Sequence, residues 1–289
     1  SEASRPASAI VSFYEGEGAR RFFDRDAAYV ERASSYEIPS YPASSHIAGI
    51  QGAISSSAML SEARTHVAIT AYNLSEAPPR TYTFTRWKAR HGRDASPPGD
   101  HEFRMWEVIR AASTFPGIWP GSTLSSVSGK TYYPLDGGMF AINPVLEGLA
   151  HSIRLLTRMD FEGDDYRFLV VSLGTGFFNH TELVGRTTEQ WGAVQWFHSG
   201  SVPPAVEVLF EGQTDSVDSL MREIAGPDNR VQYYHRFQPQ MTADFKLDDV
   251  DPASLAKLRG YAEEMLVARA EEIDSICELL ATPKTLPDR

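Results

Sequence analysis

Two short apolar runs in the chain predict buried β-strands. They cover residues 67–72 (VAITAY) and residues 168–173 (FLVVSL), and short apolar runs rich in β-branched residues are typical of strands covered on both faces. Residues 81–85 (TYTFT) alternate threonine with aromatic side chains. This alternation predicts another strand, paired with the run at residues 67–72.

Other segments have the spacing of helices. Apolar residues recur every three or four positions in residues 145–156, which predicts one apolar helical face. A longer stripe in residues 255–280 follows Asp251, which suits an N-cap, and Pro252, which suits the first helical position. Residues 105–112 predict a shorter helix.

The alternation of strands and helices predicts the fold class. It is typical of an α/β fold with a mainly parallel central sheet covered on both faces, and we expect one domain over residues 1–289. Residues 91–100 are polar and rich in Gly and Pro, which predicts an exposed loop. Residues 203–224 mix apolar and acidic positions, which fits either a mobile flap or, as we expect, a solvated helix.

Composition narrows the function classes. The net charge of −11 argues against a nucleic-acid partner, because phosphate binding needs a surplus of Lys and Arg. There is no polybasic run for anionic lipids and no stretch of eighteen apolar residues. Any membrane contact is therefore expected to be transient and apolar. The single cysteine, Cys277, fits a reducing compartment such as the cytoplasm, and its helical context predicts buried filler rather than a nucleophile.

Metal and nucleotide motifs are missing from the sequence. The 8 histidines are scattered, with no His-Glu-x-x-His and no cysteine pair, so we predict no metal site. There is no P-loop and no dinucleotide glycine fingerprint, and a Gly-x-Gly at residues 174–176 is weak support for phosphate binding. We therefore predict no cofactor.

Asp136 is the strongest candidate for chemistry. It lies between an extended segment at residues 132–136 and a predicted helix start, where Asn143 suits the N-cap and Pro144 the first helical position. Two glycines follow the carboxylate, so it lies where a strand ends and the backbone turns sharply. In an open α/β fold that place is the mouth of the ligand crevice. A lone Asp-Gly-Gly is more often just a turn, so the flanking motifs have to show whether Asp136 belongs to a functional site.

Four segments occur in an informative order. Residues 110–120 (RAASTFPGIWP) precede residues 135–138 (LDGG), and residues 143–144 (NP) and 171–176 (VSLGTG) come next. This succession resembles the patatin-like phospholipase family, in which Arg-Ala-Ser-x-Ala-x-Pro leads to Asp-Gly-Gly, Asn-Asn-Pro and Ser-Leu-Gly-Thr-Gly. The resemblance runs from about residue 8 to residue 281. The strand around Tyr233 to Phe237 and the closing helix look like those of bacterial members.

The resemblance implies a function as well as a fold. It implies a three-layer α/β/α fold and a lipid acyl hydrolase of the phospholipase A type, acting through a serine and an aspartate. Asp136 is then the base that accepts the proton of the serine, while Ser113, Gly137, Gly138 and Asn143 shape the loop that holds it. The expected partner is a membrane lipid or lipid ester, without a metal or organic cofactor. Homo-oligomer formation stays open.

The chain departs from the family at the nucleophile. No Gly-x-Ser-x-Gly elbow occurs in the 289 residues, and no Gly-rich oxyanion loop precedes residue 8. Ser1 to Phe23 resemble the segment that comes after the elbow helix in family members. We therefore expect the first strand, the oxyanion loop and the nucleophile to lie in an N-terminal segment outside this chain. Ser55 to Ser57 and Ser113 lack the elbow context.

Several alternatives remain at this stage. The chain could be a naturally short, inactive relative that binds lipid or regulates a partner, or it could use Asp136 otherwise, with Ser1 as an N-terminal nucleophile. A narrower hypothesis is a cyclic-nucleotide-activated phospholipase effector of bacterial antiphage defence, although no motif here indicates nucleotide binding. Aromatic residues after motifs and strand ends predict either an acyl-chain groove or ordinary packing: Phe115, Trp119, Phe177, Phe178, Trp191, Trp196 and Phe197.

Overall fold

The computed structural model describes residues 7–92, 99–161, 166–178, 187–197, 203–243, 245–246 and 248–281. These residues fall into two compact units. One is drawn from Ser1–Val170 and Ala193–Tyr234, and the other from Val171–Gly192 and His235–Arg289. Compact units are a finer division than domains, so the single domain over residues 1–289 stays a prediction. Ser1 and most of the loop predicted at residues 91–100 lie outside the described residues.

Helices and strands alternate along most of the chain, which confirms the α/β fold class. The helices are α1 (Ala7–Glu15), α2 (Glu17–Phe22), α3 (Ala27–Ala33), α4 (Ala43–Ala53), α5 (Arg86–His91), α6 (Met105–Ala112), α7 (Val145–Arg158), α8 (Ala193–Phe197), α9 (Pro204–Ile224), α10 (Pro252–Ala268) and α11 (Ala270–Ala281). The strands are β1 (Ala68–Asn73), β2 (Arg80–Thr85), β3 (Leu124–Ser125), β4 (Thr131–Tyr132), β5 (Pro134–Asp136), β6 (Phe168–Leu173), β7 (Phe177–Phe178), β8 (Val231–Phe237) and β9 (Gln240–Met241).

A three-stranded sheet with β1 at its centre positions Asp136. β1 runs antiparallel to β2, with Ala68 opposite Thr85, and antiparallel to β5, with Ala71 opposite Asp136. The pairing of these strands differs from the mainly parallel sheet that we predicted. The connection between β1 and β2 is only residues 74–79, and a parallel pair needs a crossover of about a dozen residues or more. A parallel pair does occur between β7 and β9, and β6 pairs with β8.

The first core cluster packs this sheet against α6. Its buried members are Leu60, Ala71, Phe84, Phe103, Val108, Ala111, Leu124 and Tyr132. Helix α6 begins and ends where the sequence predicted, and its Val108 and Ala111 are fully buried. Full burial of an apolar side chain such as Val108 stabilises the fold by about 1.5–3 kcal/mol. The strand that carries Asp136 thus adjoins a well-packed core.

A second cluster packs α7 against α9. Leu149, Val217, Met221 and Val231 are its buried members, so the stripe predicted for residues 145–156 is a packed helical face. Residues 204–224 form the helix that we expected, with Pro203 as its N-cap.

Helix α7 begins one residue later than predicted. The N-cap is Pro144 rather than Asn143, because Pro144 has φ −82° and ψ 14° and so lies outside the regular helix. The side chain of Asn143 still accepts a hydrogen bond from the Val145 N–H at 3.4 Å.

The C-terminal stripe is divided into two helices. Asp251 caps α10 as predicted, accepting a hydrogen bond from the Ala253 N–H at 2.8 Å. The helix then breaks at Arg269, where φ is −115° and ψ is 21°. Cys277 is exposed, so the prediction of a buried cysteine is wrong. Its neighbour Ile276 is the buried residue, and successive side chains on a helix point in different directions.

No described helix combines the length and the apolarity needed to cross a bilayer.

Candidate active site

Asp136 lies at the end of β5, where hydrogen bonds hold both its backbone and its side chain. Its backbone N–H donates to the carbonyl oxygen of Thr114 at 3.1 Å. Its Oδ1 accepts a hydrogen bond from the Gly138 N–H at 2.6 Å, which closes the short 3₁₀ turn of residues 137–139. Among the described residues no hydrogen bond reaches Oδ2. One carboxylate oxygen therefore holds the turn, and the other has no partner within this part of the chain.

The surroundings of Asp136 increase its affinity for a proton. Burial raises the pKa of the Asp136 carboxyl because desolvation penalises the charged form, and the hydrogen bond from the Gly138 N–H lowers it by a smaller amount. The net pKa lies above the ordinary value of 3.8. A carboxylate with raised proton affinity is better suited to accept a proton than an exposed one.

Gly137 allows the turn to approach β1 closely. A Cβ at this buried position would lie 2.4 Å from both the carbonyl oxygen and the Oγ1 of Thr70. At Gly138, a Cβ would lie 3.0 Å from Oδ1 of Asp136, the same oxygen that the Gly138 N–H binds. The two glycines after Asp136 thus have a steric reason, which is the close approach of the turn to Thr70 and to the Asp136 carboxylate.

Replacing Gly137 by alanine is expected to destabilise the protein by about 2 kcal/mol, because added atoms in a packed interior displace their neighbours. The matched control is Gly212→Ala, on the exposed face of α9, where a Cβ would meet nothing within 4 Å. That change is expected to stabilise the helix by about 0.5–1 kcal/mol. Urea unfolding of both variants measures the difference. Equal stability of Gly137→Ala and the wild type would contradict the close approach to Thr70.

Ser113 is paired with the buried residue His46. Its Oγ lies 2.9 Å from Nε2 of His46 and donates to the carbonyl oxygen of Ile109 at 2.7 Å. Because the single hydroxyl hydrogen goes to Ile109, Nε2 of His46 is the donor to Ser113. This arrangement holds the end of α6 and leaves no base for the Ser113 hydroxyl. These contacts of the Ser113 hydroxyl indicate a structural role.

His46 is a residue that the sequence did not single out. It is only 1% exposed, and its ring stacks on Trp119 with 4.4 Å between centroids. Burial, followed by the positive charge of Arg110, lowers the pKa of His46 to about 4. Its Nδ1 is buried without a hydrogen-bond partner, which fits a neutral ring protonated on Nε2. Nothing in the local sequence around His46 signals this role.

Thr114 is a second residue that sequence reasoning missed. It is fully buried, its Oγ1 donates to the carbonyl oxygen of Arg110 at 2.6 Å, and its own carbonyl accepts the Asp136 N–H. The motif at residues 110–120 therefore contacts the Asp136 turn directly through its backbone. The resemblance had pointed to this segment, but to the neighbouring Ser113 instead.

Asn143 ties its loop to α9. It is buried, and its backbone N–H donates to Oε1 of Gln213 at 3.0 Å. Its own side chain supports the start of α7. Neither of these contacts reaches Asp136, so the role predicted for Asn143 in shaping the Asp136 loop stays a prediction. Gln213 was not predicted, because a glutamine within a mixed helical pattern carries no distinctive signal.

The Ser-Leu-Gly-Thr-Gly motif lies in the second unit and has its own internal support. Ser172 is buried and accepts a hydrogen bond from Nη1 of Arg236 at 2.8 Å. Nη2 of the same arginine donates to Gln238 at 3.1 Å. A Cβ at Gly174 would lie 1.4 Å from Oε1 of Gln238, and Gly176 has φ +107°. Gly176 is therefore favoured by its positive φ, whereas a side chain at Gly174 would have to displace the flexible ends of Gln238 and Arg236.

The aromatic residues predicted to line a groove have mixed environments. Trp119 is buried and stacks on Phe23 with 5.6 Å between centroids, so it is part of the core. Phe115 meets Phe210 edge to face at 5.9 Å. Phe197 is 57% exposed. The side chain of Phe178 lies outside the described residues, and an acyl-chain groove stays a prediction.

The sequence of the chain is similar to those of patatin-like proteins. It is 29% identical over 212 residues to patatin-like protein 6 of Arabidopsis thaliana, covering 71% of this chain and 40% of that protein. It is 28% identical over 158 residues to the probable inactive patatin-like protein 9 of the same plant, covering 53% and 36%. Over 207 residues it is 23% identical to human calcium-independent phospholipase A2-gamma, covering 72% and 23%. These similarities support the patatin-like phospholipase family. No protein-family model matches the chain.

The patatin-like relatives support a lipid acyl hydrolase family, and the α/β architecture of this chain is consistent with the patatin-like α/β/α fold. The chain spans only 40%, 36% and 23% of the length of the three relatives. The three are plant and human proteins, so bacterial origin stays a prediction.

Proposed function

We propose that this chain is part of a phospholipase A-type lipid acyl hydrolase and that Asp136 is the base of its Ser-Asp dyad. The observation that carries the proposal is the half-buried Asp136 carboxylate. One of its oxygens is held by the Gly138 N–H, and burial raises its pKa. No Gly-x-Ser-x-Gly occurs in the 289 residues, so the proposal assigns the serine to a segment outside them.

The proposed reaction has two steps. Asp136 takes the proton of the serine hydroxyl as the serine oxygen attacks the ester carbonyl. The same proton then passes to the departing lysolipid alcohol. This leaves an acyl-serine. Water then attacks the acyl-serine and gives its proton to Asp136, which passes it to the serine oxygen as the fatty acid leaves. Backbone N–H groups outside the 289 residues would stabilise the negatively charged oxygen.

A carboxylate can replace the usual histidine base when its proton affinity is raised. An exposed aspartate is a weak base, because water stabilises its charged form. Partial burial removes part of that stabilisation. No metal or organic cofactor enters the proposed steps. The substrate class is a membrane lipid or lipid ester, reached by transient apolar contact from the cytoplasm, and the oligomeric state stays open.

A non-catalytic module that binds lipid or regulates a partner is the second candidate. It is favoured by the similarity to a plant protein named probable inactive and by the lack of an elbow serine among these residues. No sequence motif of this chain indicates nucleotide binding, so the antiphage effector has no separate support.

Labelling with an alkyl fluorophosphonate tests the serine dependence. The reagent attaches to an activated serine and expels fluoride, and mass spectrometry then locates the modified residue. In the complete protein we expect one modified serine within a Gly-x-Ser-x-Gly segment. We also expect complete loss of fatty-acid release from phosphatidylcholine vesicles.

The control is the 289-residue chain by itself, which should remain unlabelled. Labelling at Ser113 would contradict the assignment, as would turnover that survives complete labelling. A complete protein that neither reacts with the probe nor releases fatty acid would favour the non-catalytic module.

A further inference from the structure

A cavity of about 230 Å³ lies between the start of β1, α5 and α7. Its lining includes Val67 and Ala68 on the strand side and Trp87 and Lys88 from α5, and α7 contributes its face opposite the second core cluster. A water molecule occupies about 30 Å³ in the liquid. The cavity therefore has room for a group several times larger than water.

The charged side chains that line the cavity are all cationic. Lys88, Arg154 and Arg158 contribute, and two histidines, His66 and His151, lie beside them. Burial lowers the pKa of Lys88, and the charges of Arg154 and Arg158 lower it further. Lys88 of α5 is therefore close enough to Arg154 and Arg158 of α7 to be repelled by both.

Within the part of the chain that the structure describes, the cations Lys88, Arg154 and Arg158 have no ion-pair partner. The ammonium of Lys88 donates to the carbonyl oxygen of Thr83 at 3.1 Å and lies 5.1 Å from the centre of the Tyr82 ring, so one of its three N–H groups is held by a protein oxygen. Glu147, on the first turn of α7, acts on His151 but is outweighed there by burial and by the neighbouring cations.

The local excess of positive charge contrasts with the chain as a whole. The net charge is −11, so the chain as a whole repels anions. Attraction of an anion to the cavity would have to come from the local cations. Arginine and lysine without carboxylate partners are well suited to phosphate, which accepts charge-assisted hydrogen bonds at several oxygens. A bound anion would remove the mutual repulsion of the three cations.

The cavity and Asp136 lie beside different positions of β1. Ala68 lines the cavity, whereas Ala71 lies opposite Asp136. Three residues of strand correspond to about 10 Å. A ligand in the cavity would therefore not occupy the space beside the carboxylate.

We propose that this cavity binds a phosphate group through Lys88, Arg154 and Arg158. The group could belong to a free phosphorylated molecule or to the headgroup of an anionic lipid, because both present the same oxygens. The proposal does not depend on hydrolysis by Asp136.

Calorimetry with inorganic pyrophosphate, using the complete protein, tests the free form. Sedimentation with vesicles of phosphatidylcholine, with and without phosphatidic acid, tests the lipid form. The double change Arg154→Gln and Arg158→Gln is expected to weaken binding about tenfold or more, since hydrogen bonds to charged groups are lost. Lys88→Met should act in the same direction from α5.

The matched control is the double change Arg222→Gln and Arg259→Gln, which alters the net charge by the same amount outside the cavity. It removes two exposed arginines that pair with Asp218 and Glu263. Binding within twofold of wild type is expected. Melting temperatures show whether each variant folds.

The outcomes separate the two sources. Pyrophosphate binding that the cavity variants lose supports a free ligand, and binding that requires phosphatidic acid and is lost in the same variants supports a headgroup. An equal loss in the control variant, or no binding in either arm, would overturn the proposal. Loss of binding without loss of ester hydrolysis would support the phosphate site independently of Asp136.

Discussion

Changing Asp136 to asparagine should lower kcat/KM for ester hydrolysis by the complete protein about a thousandfold, within the usual range for loss of a general base. The amide oxygen can still accept the hydrogen bond from the Gly138 N–H, which is 2.6 Å long in the wild type. The turn is therefore kept, but an amide does not take the proton of a serine. Steady-state kinetics with a fluorogenic ester, at several pH values, measures the effect.

Asp251→Asn is the control for this substitution. Asp251 also accepts a backbone N–H at a helix start, from Ala253 at 2.8 Å, but it lies on α10 and has no proposed role in chemistry. Its change should leave kcat/KM within twofold of wild type. When the pH is lowered, wild-type activity should begin to fall while the pH is still above 3.8, the ordinary aspartate pKa. The reason is that burial raises the pKa of Asp136. Undiminished turnover in Asp136→Asn would refute the dyad.

Stability is expected to fall in mild acid because of His46. The pKa of His46 is about 4 in the folded chain, against 6.5 for an ordinary histidine. Between these values the unfolded chain binds a proton and the folded chain does not, so stability is complete above pH 6.5 and is lost as pH falls to about 4. The full loss is about 3 kcal/mol. Urea unfolding at several pH values measures it.

Two histidine variants separate His46 from the other titrating groups. His46→Gln should make the pH dependence in this window less steep, because glutamine can donate to Ser113 but does not titrate. The remaining slope comes from groups such as His66, His101 and His151, whose pKa values burial also lowers. His91→Gln removes an exposed histidine from α5 and leaves the buried ring in place, so the wild-type slope should persist. A His46 ring that titrates near 6.5 by NMR would contradict the prediction.

Local patterns were sufficient for several elements. The apolar run at residues 168–173 is β6, and the periodic segment at residues 105–112 is α6, with the predicted bounds. β1 and β2 differ from prediction by a single residue at one or both ends. These segments were predictable because their apolar spacing, their turn residues and their burial all favour the same structure.

The sequence by itself also determined the main elements of the candidate site: an aspartate at a strand end, two glycines after it and motifs in a patatin-like order. Only the tertiary structure decided the rest. It brought Thr70 against Gly137 and Thr114 against Asp136, buried His46 beside Ser113, and placed Lys88 of α5 near two arginines of α7. Each of these contacts joins residues far apart in the chain. Spacing along the chain carries no information about them, because they depend on how helices and strands pack and on which polar groups lose contact with water.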